Sequence, residues 1–344
     1  MKKLLLSTLW LVGSVALGAC SSDAEEDPAV GTGGSGNASE NAGAPSPGSA
    51  STGPGSAGSV STLTAEELGE PYPPEDRSVR PSAGCGTGSA APAAGAHFLP
   101  TGGQEGRYLI TAPSTYDPNL PYPLGFVFHG ANNTEEVCYI GGNCAGVNRA
   151  LHEQAIVVYP KSFGTSWTAA EREQNVTYFD DLLAHLEATY CIDERRVFAL
   201  GTSSGAHFSN ILGCRRGDVL LAVVPGAGER LEKDNCKGRV AALVIHGVAD
   251  MASVPFAKGE EARDDYARLN GCTSETLPLL STMHETVTGA RALGMSTNGC
   301  VDYQGCREGL PVRWCEHSEP GYDGTTHGWP VAGGELAWDF LRDL

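Results

Sequence analysis

A five-residue motif, GTSSG at residues 201–205, is the only match in the chain to the pattern Gly-x-Ser-x-Gly. A strand-like run, RVFAL at 196–200, precedes it, and a helical pattern over 205–212 follows. In this setting a sharp turn lifts a serine hydroxyl above the end of a sheet, and small flanking residues leave room for that turn. The pattern therefore predicts that Ser203 is a nucleophile.

A serine hydroxyl attacks efficiently only when a neighbouring base accepts its proton. In a strand–turn–helix setting the acid and then the histidine follow the serine along the chain. Asp250 comes just after the apolar run AALVIH at 241–246, and His327 lies between the last strand-like run and a final helical pattern. We therefore predict a triad of Ser203, Asp250 and His327. His317 is the alternative base because it too follows Asp250, but it stands directly after a strand-like run.

The tetrahedral intermediate of such a reaction needs N–H donors for its oxyanion. We expect the backbone amide of Ser204 to be one donor and that of Ala131, in the loop HGAN at 129–132, to be the other. His129 and His246 each precede a glycine at a strand end and are interpreted as structural. Three aromatic residues are candidates for a substrate pocket, with core packing as an equal alternative: Trp329, Trp167 and Phe256.

The charge balance and the spacing of metal-binding residue types exclude other classes of function. The chain carries 23 Lys and Arg against 41 Asp and Glu, a formal net charge of −18. Phosphate binding needs clustered basic residues, so nucleic acid is not an expected partner. Neither HExxH nor a comparable ligand spacing occurs, and no metal or other cofactor is expected.

From about residue 83 onward, short β-rich runs alternate with longer helical patterns. This alternation predicts an α/β fold with a mainly parallel central sheet and helices on both faces. The expected strands cover residues 107–113, 124–129, 155–159, 196–200, 219–224, 241–246 and 312–315. The expected helices cover residues 176–190, 205–212 and 335–344.

The first 20 residues have the pattern of a targeting segment. Lysines at 2 and 3 precede an apolar stretch at 4–16 that is short for a membrane span, and small residues then lead into Cys20. This resembles the bacterial lipobox, which implies that Cys20 is acylated and becomes the mature N-terminus, anchoring the protein to a membrane. The serines at 21 and 22 imply the outer membrane of the cell envelope. An ordinary signal peptide, and thus an extracellular protein, is the alternative.

Residues 21–82 consist mainly of Gly, Ser, Ala, Pro, Asn and Glu. They contain too little apolar surface to offset the entropy of ordering the chain, so they are predicted to be a disordered tether. Residues 83–344 are then long enough for one catalytic domain with a sizeable core.

Ten further cysteines follow Cys20, all of them in the predicted domain and none in a CxxC pair. In an exported protein an even set of this kind favours disulfides over metal sites. The pairing is left open, and only the short loops between Cys138 and Cys144 and between Cys300 and Cys306 suggest particular pairs.

Together, these residues resemble the exported α/β-hydrolase esterases of the feruloyl esterase, acetyl xylan esterase and polyhydroxybutyrate depolymerase group. The matching pieces are SAGCG at 82–86, RY at 107–108, AP at 112–113, FHG at 128–130, CID at 191–193, RV at 196–197, the serine motif, HG at 246–247 with Asp250, and His327 with WP at 329–330.

The resemblance implies an α/β-hydrolase fold, the triad named above and hydrolysis of feruloyl or acetyl esters on plant polysaccharides such as xylan. A depolymerase of short-chain polyhydroxyalkanoates is the alternative enzyme, since this group includes both activities. A binding lipoprotein that retains the fold without activity is the third possibility, and the complete Ser, Asp and His set argues against it.

Overall fold

The computed structural model describes residues 78–344, except residues 142–143, 145, 252, 280–296 and 321–325. The predicted signal peptide with Cys20, and the predicted tether up to residue 77, lie outside the described residues. The last residues of the predicted tether are instead ordered against the domain, because the N–H of Arg80 donates to Oδ1 of Asp193 at 3.0 Å and Ser82, 4% exposed, donates to the carbonyls of Tyr190 and Ile192. The folded part therefore begins before residue 83. Among the helices of the described part, none is both long and apolar enough to cross a membrane.

One mixed sheet is the centre of the described chain. Its strands are β1 (His97–Thr101), β2 (Gln104–Thr111), β3 (Tyr122–Phe128), β4 (Ile156–Pro160), β5 (Ile192–Thr202), β6 (Ala222–Gly226), β7 (Ala241–Gly247), β8 (Thr276–Pro278), β9 (Thr297–Tyr303) and β10 (Val312–His317). Their order across the sheet is β1-β2-β4-β3-β5-β6-β7-β10-β9-β8. Neighbours from β4 through β10 in this order pair in parallel, and the strands at both margins pair antiparallel.

Side chains of the central strands alternate between two cores, one on each face of the sheet. On β3, Phe126 and Phe128 join one core and Val127 joins the other; on β5, Ala199 and Leu200 divide in the same way. Successive side chains of a strand point to opposite faces, so a strand covered on both faces must be a continuous apolar run. The predicted mainly parallel sheet with two covered faces is confirmed.

Helices cover both faces of this sheet. They are α1 (Glu135–Tyr139), α2 (Val147–Leu151), α3 (Arg172–Thr189), α4 (Ser204–Arg215), α5 (Phe256–Leu269) and α6 (Gly333–Arg342). The core that contains Phe126 receives side chains from α3, α4 and α5, and the core that contains Val127 receives them from α1, α2 and α6.

Most predicted elements are present with ends displaced by a few residues. The strand predicted at 219–224 is instead β6, at Ala222–Gly226. Val219 and Leu220 donate their N–H groups to the carbonyl of Arg216 at 2.9 and 2.8 Å, so a turn that closes α4 takes up the first residues of the apolar run. The sequence did not predict β1, β8, β9, α1, α2 or α5.

All ten cysteines of the described chain form disulfides. The pairs are Cys85–Cys191, Cys138–Cys144, Cys214–Cys236, Cys272–Cys306 and Cys300–Cys315. The suggested pair Cys138–Cys144 is confirmed, whereas Cys300–Cys306 is wrong. The reason is strand register: Cys300 on β9 lies directly opposite Cys315 on β10, and Cys306, beyond the end of β9, reaches Cys272 after α5.

We expect removal of the Cys85–Cys191 disulfide by a double serine substitution to destabilise the domain more than the same change at Cys138 and Cys144. The first bond closes a separation of 106 residues and the second only 6. In the chain-entropy model the two losses are about 5 and about 2 kcal/mol. Urea unfolding under non-reducing conditions gives both free energies, and equal losses would contradict an origin in loop length.

Candidate active site

Ser203 stands at a strained turn between β5 and α4. Its φ is 53° and its ψ −119°, which lies in the positive-φ region that side chains with a Cβ rarely adopt. A Cβ at Gly201 would overlap the backbone of Gly205, and one at Gly205 would overlap the carbonyl of Phe128. The two glycines of the motif are therefore required because the chain turns back on itself at this point and approaches the end of β3.

Asp250 and His327 are both fully buried and are in direct contact. The Nδ1 atom of His327 lies 2.5 Å from Oδ2 of Asp250. The carboxylate is held in place because its Oδ1 accepts the N–H of Val254 at 3.2 Å. Since a carboxylate only accepts hydrogen bonds, this contact assigns the proton to Nδ1 of His327 and the lone pair of the ring to Nε2.

The alternative histidine, His317, has a different environment at the end of β10. It is 2% exposed, and its Nε2 donates a hydrogen bond to the carbonyl of Gly328 at 3.1 Å. Burial lowers the pKa of His317 to about 4, which keeps the ring neutral at physiological pH. His317 thus supports the backbone beside His327, and of these two histidines it is His327 that the structure joins to Asp250.

His129 and His246 also bind backbone groups. His129 donates from Nδ1 to the carbonyl of Gly130 at 2.7 Å and accepts the N–H of Ser162 at Nε2, 3.3 Å away. Burial lowers its pKa to about 4, in agreement with a neutral ring that accepts at one nitrogen. His246 donates from Nε2 to the carbonyl of Val254 at 2.9 Å, and this nitrogen lies 3.6 Å from Asp250.

The two predicted oxyanion donors lie at the same edge of the sheet. Phe128 on β3 is paired with Gly201 on β5, and three residues beyond each partner come Ala131 and Ser204. Ser204 is the first residue of α4, where a backbone N–H has no acceptor within the helix and the helix dipole favours negative charge. Strand register therefore brings the loop with Ala131 and the start of α4 side by side.

The two tryptophans predicted as pocket candidates are buried and hydrogen-bonded to the backbone. Trp167 is 1% exposed and donates from Nε1 to the carbonyl of His129 at 2.9 Å; Trp329 is 7% exposed and donates to that of Gly201, also at 2.9 Å. Both tryptophans are therefore packed in the core, which was the alternative to a substrate pocket that the sequence left open. Phe256 is partly buried, with its ring 6.0 Å from that of His246.

Trp329 has a role that was not predicted from the sequence. It links the segment of His327 to the turn at residues 201–205, called the serine turn. Its indole ring occupies the space that a Cβ at Gly226 would need, and its N–H holds Gly201 inside the serine motif. The signal in the sequence was the pair of glycines, at 226 and 333, on which the ring packs. Among the described residues, no group of His, Cys, Asp and Glu could hold a metal ion.

The sheet order, the serine turn and the neighbouring His–Asp pair define an α/β-hydrolase. No model of a known protein family matches the chain. Feruloyl esterase D of Neurospora crassa is 30% identical over 256 residues, which cover 71% of this chain and 83% of that protein. A probable feruloyl esterase C of Aspergillus terreus is 27% identical over 68% of this chain and 83% of its own length.

A solved acetyl xylan esterase from Aspergillus awamori has the same fold, with a TM-score of 0.51 and 14% identity over 73% of this chain and all of that one. The chain belongs to the feruloyl esterase family and is a carboxylic ester hydrolase. The α/β-hydrolase fold and the family resemblance predicted from the sequence are confirmed.

We expect His317→Gln to make the free energy of unfolding less dependent on pH. The pKa of His317 is about 4 in the folded protein and about 6.5 when unfolded. Between these values the unfolded chain binds a proton that the folded chain does not, so stability present above pH 6.5 is lost as the pH falls toward 4. Glutamine can still donate to Gly328 but does not titrate.

Urea unfolding of the wild type and the variant at pH 7.5 and pH 4.5 measures this difference. His152→Gln is the matched control, because the side chain of His152 is 45% exposed. If the free energy of unfolding fell by the same amount between pH 7.5 and pH 4.5 in the wild type and in His317→Gln, the result would contradict a buried neutral His317.

Proposed function

We propose that this esterase cleaves feruloyl esters of plant polysaccharides, with Ser203 as nucleophile, His327 as general base and Asp250 as the acid that orients it. The observation that carries the catalytic assignment is the hydrogen bond between Nδ1 of His327 and Asp250, at the sheet edge that bears the serine turn. The substrate class is supported by the similarity to feruloyl esterases.

In this proposal Oγ of Ser203 attacks the ester carbonyl carbon as its proton passes to Nε2 of His327. The carboxylate of Asp250 stabilises the imidazolium that forms, and the amides of Ser204 and Ala131 bind the oxyanion. Collapse of the tetrahedral intermediate breaks the bond to the alcohol, which takes the proton from His327. Water then attacks the acyl-enzyme by the same steps, releasing the acid and restoring Ser203.

The other histidine rings around the proposed triad are neutral. Burial, together with a smaller contribution from repulsion by His327 and His246, lowers the pKa of His207 to about 4; this residue lies one helical turn after Ser203. His246 and His317 also have lowered pKa values because they are buried. The charge that develops on His327 thus faces Asp250 without a competing cation on these rings.

We expect Ser203→Ala and His327→Ala each to lower kcat on methyl ferulate by roughly four orders of magnitude, because residues of a triad act as a unit. Both variants should stay folded, and a fluorophosphonate probe should label the wild type but not Ser203→Ala. Acetylated xylan and a 3-hydroxybutyrate oligomer complete the substrate panel, and methyl ferulate should be the best of the three.

His317→Gln is the control for the base, and it should retain activity at pH 7.5. Wild-type rates in His327→Ala together with inactivity of His317→Gln would assign the base to His317. Turnover confined to the hydroxybutyrate oligomer would favour the depolymerase, and no turnover of any ester would refute the proposed substrate class.

We infer that residues 1–20 direct export and that acylated Cys20 anchors the protein to the cell envelope through the predicted tether. The catalytic domain then lies outside the cytoplasm. The lipobox pattern and the five disulfides of the domain support this arrangement.

We expect Cys20→Ala to move the protein from the detergent phase to the aqueous phase in Triton X-114 partitioning and to abolish labelling by radioactive palmitate in a bacterial host. The reason is that the acyl chains supply the membrane affinity, at about 0.8 kcal/mol per buried methylene. The esterase activity should not change. A variant that stays in the detergent phase would show that another segment binds the protein to the membrane.

A further inference from the structure

The segment after β4, residues 162–168, is bonded to the loop that contains Ala131. The carbonyl of Thr165 accepts the N–H of Asn132 at 2.7 Å. Trp167 donates from its indole to the carbonyl of His129 at 2.9 Å. Both partners lie within two residues of Ala131, so this segment fixes the loop on each side of the predicted oxyanion donor.

The same segment is also bonded to the first residue of α4. The backbone N–H of Trp167 donates to Oγ of Ser204 at 3.0 Å, and Oγ of Ser166 lies 2.7 Å from Oγ of Ser204. The ring of Trp167 stacks on Phe208 of α4 with centroids 5.0 Å apart. The start of α4 is therefore attached to residues 166–167 through the side chain of Ser204.

The hydroxyl of Ser204 makes two hydrogen bonds to this segment, of the three that a hydroxyl can make. It accepts one hydrogen bond from Trp167 and shares a second with Ser166, in a side chain that belongs to a residue only 5% exposed. Ser166 in turn accepts the N–H of Thr168 at 3.3 Å. A buried hydroxyl that is bonded twice to one segment is suited to hold that segment in position.

We propose that Ser166 and the hydroxyl of Ser204 are positioning residues that set the separation of the two oxyanion donors. Residues 165–167 join the loop that contains Ala131 to the start of α4. Their contact with Asn132 holds the amide of Ala131, and their contact with the Ser204 hydroxyl holds the amide of Ser204. This inference rests on the proposed function, because it takes Ser203 as the nucleophile and the two amides as the oxyanion hole.

The consequence is a selective effect on the transition state. The oxyanion exists only after attack. An enzyme whose donors are displaced therefore binds the substrate as before but stabilises the tetrahedral intermediate less well. A displacement of about 1 Å in such a site lowers the rate on the order of 100-fold. Loss of the contact between Ser166 and Ser204 should therefore lower kcat and leave KM nearly unchanged.

The test compares Ser204→Ala and Ser166→Ala with Ser209→Ala and Ser166→Thr on methyl ferulate. Ser209 is a matched control, because it is a buried serine of the same helix whose hydroxyl bonds only the carbonyl of Gly205, 2.9 Å away. We expect Ser204→Ala and Ser166→Ala to lower kcat roughly 10- to 100-fold with KM within about twofold. Ser209→Ala and Ser166→Thr, which keeps the hydroxyl, should retain the wild-type kcat.

Phenylboronic acid supplies a second readout, since its adduct with the nucleophile carries a tetrahedral oxyanion. Its inhibition constant should rise in Ser204→Ala and Ser166→Ala in proportion to the loss of kcat/KM, and a change that is merely structural would not produce this correlation. If Ser204→Ala fails to fold, the partly exposed Ser166 still allows the test.

The outcomes distinguish the proposed function from the positioning role of Ser166 and Ser204. Activity that survives Ser203→Ala would refute the proposed function itself. Activity that depends on Ser203 but loses no kcat in Ser204→Ala and Ser166→Ala would refute only the positioning role. A raised KM with unchanged kcat in Ser166→Ala would overturn it too, by making Ser166 a substrate contact.

Discussion

The close approach of helix α4 to the ends of β3 and β5 is the constraint on which the rest of the site depends. Gly205 lies against the carbonyl of Phe128, and Gly201 lies against Gly205, so that a Cβ at either glycine would overlap backbone atoms. The same lack of a side chain at Gly226 leaves room for Trp329, whose indole binds the carbonyl of Gly201. Because Trp329 follows His327 by two residues, the space created by glycines also limits where the histidine can lie.

Burial fixes the charge states around this turn. His129, His207, His246 and His317 each have a pKa below the ordinary value of histidine, and the main cause in all four is the removal of the ring from water. Three of these rings satisfy a nitrogen by donating to a backbone carbonyl: His129, His246 and His317. They act as neutral supports for the strand ends. His327 is distinguished from them by a direct hydrogen bond to a carboxylate, that of Asp250.

The sequence was sufficient for the parts of the site that are local. The serine turn follows from five consecutive residues, and the order of Asp250 and His327 follows from the elements around them. The sequence favoured His327 over His317 from its place between the last strand and the final helix. The structure adds the contacts: His327 bonds Asp250, whereas His317 bonds the carbonyl of Gly328.

Other features depend on packing that a sequence does not display. The Cys300–Cys306 expectation failed because cross-strand register, not loop length, selects Cys315 as the partner of Cys300. Helices α1 and α2 have five residues each, too few to show a helical period, and α5 buries only four of its fourteen residues.

The contacts of residues 165–167 with the loop of Ala131 and with the start of α4 were not predicted either, because they depend on tertiary packing. Residues 165–167 follow β4, which neighbours β3 in the sheet, and from there the chain reaches both Asn132 and Ser204. No spacing along the chain announces that contact, since Trp167 and Ser204 are 37 residues apart. In the proposed mechanism, the two oxyanion donors are thus positioned by a segment that contains none of the predicted triad residues.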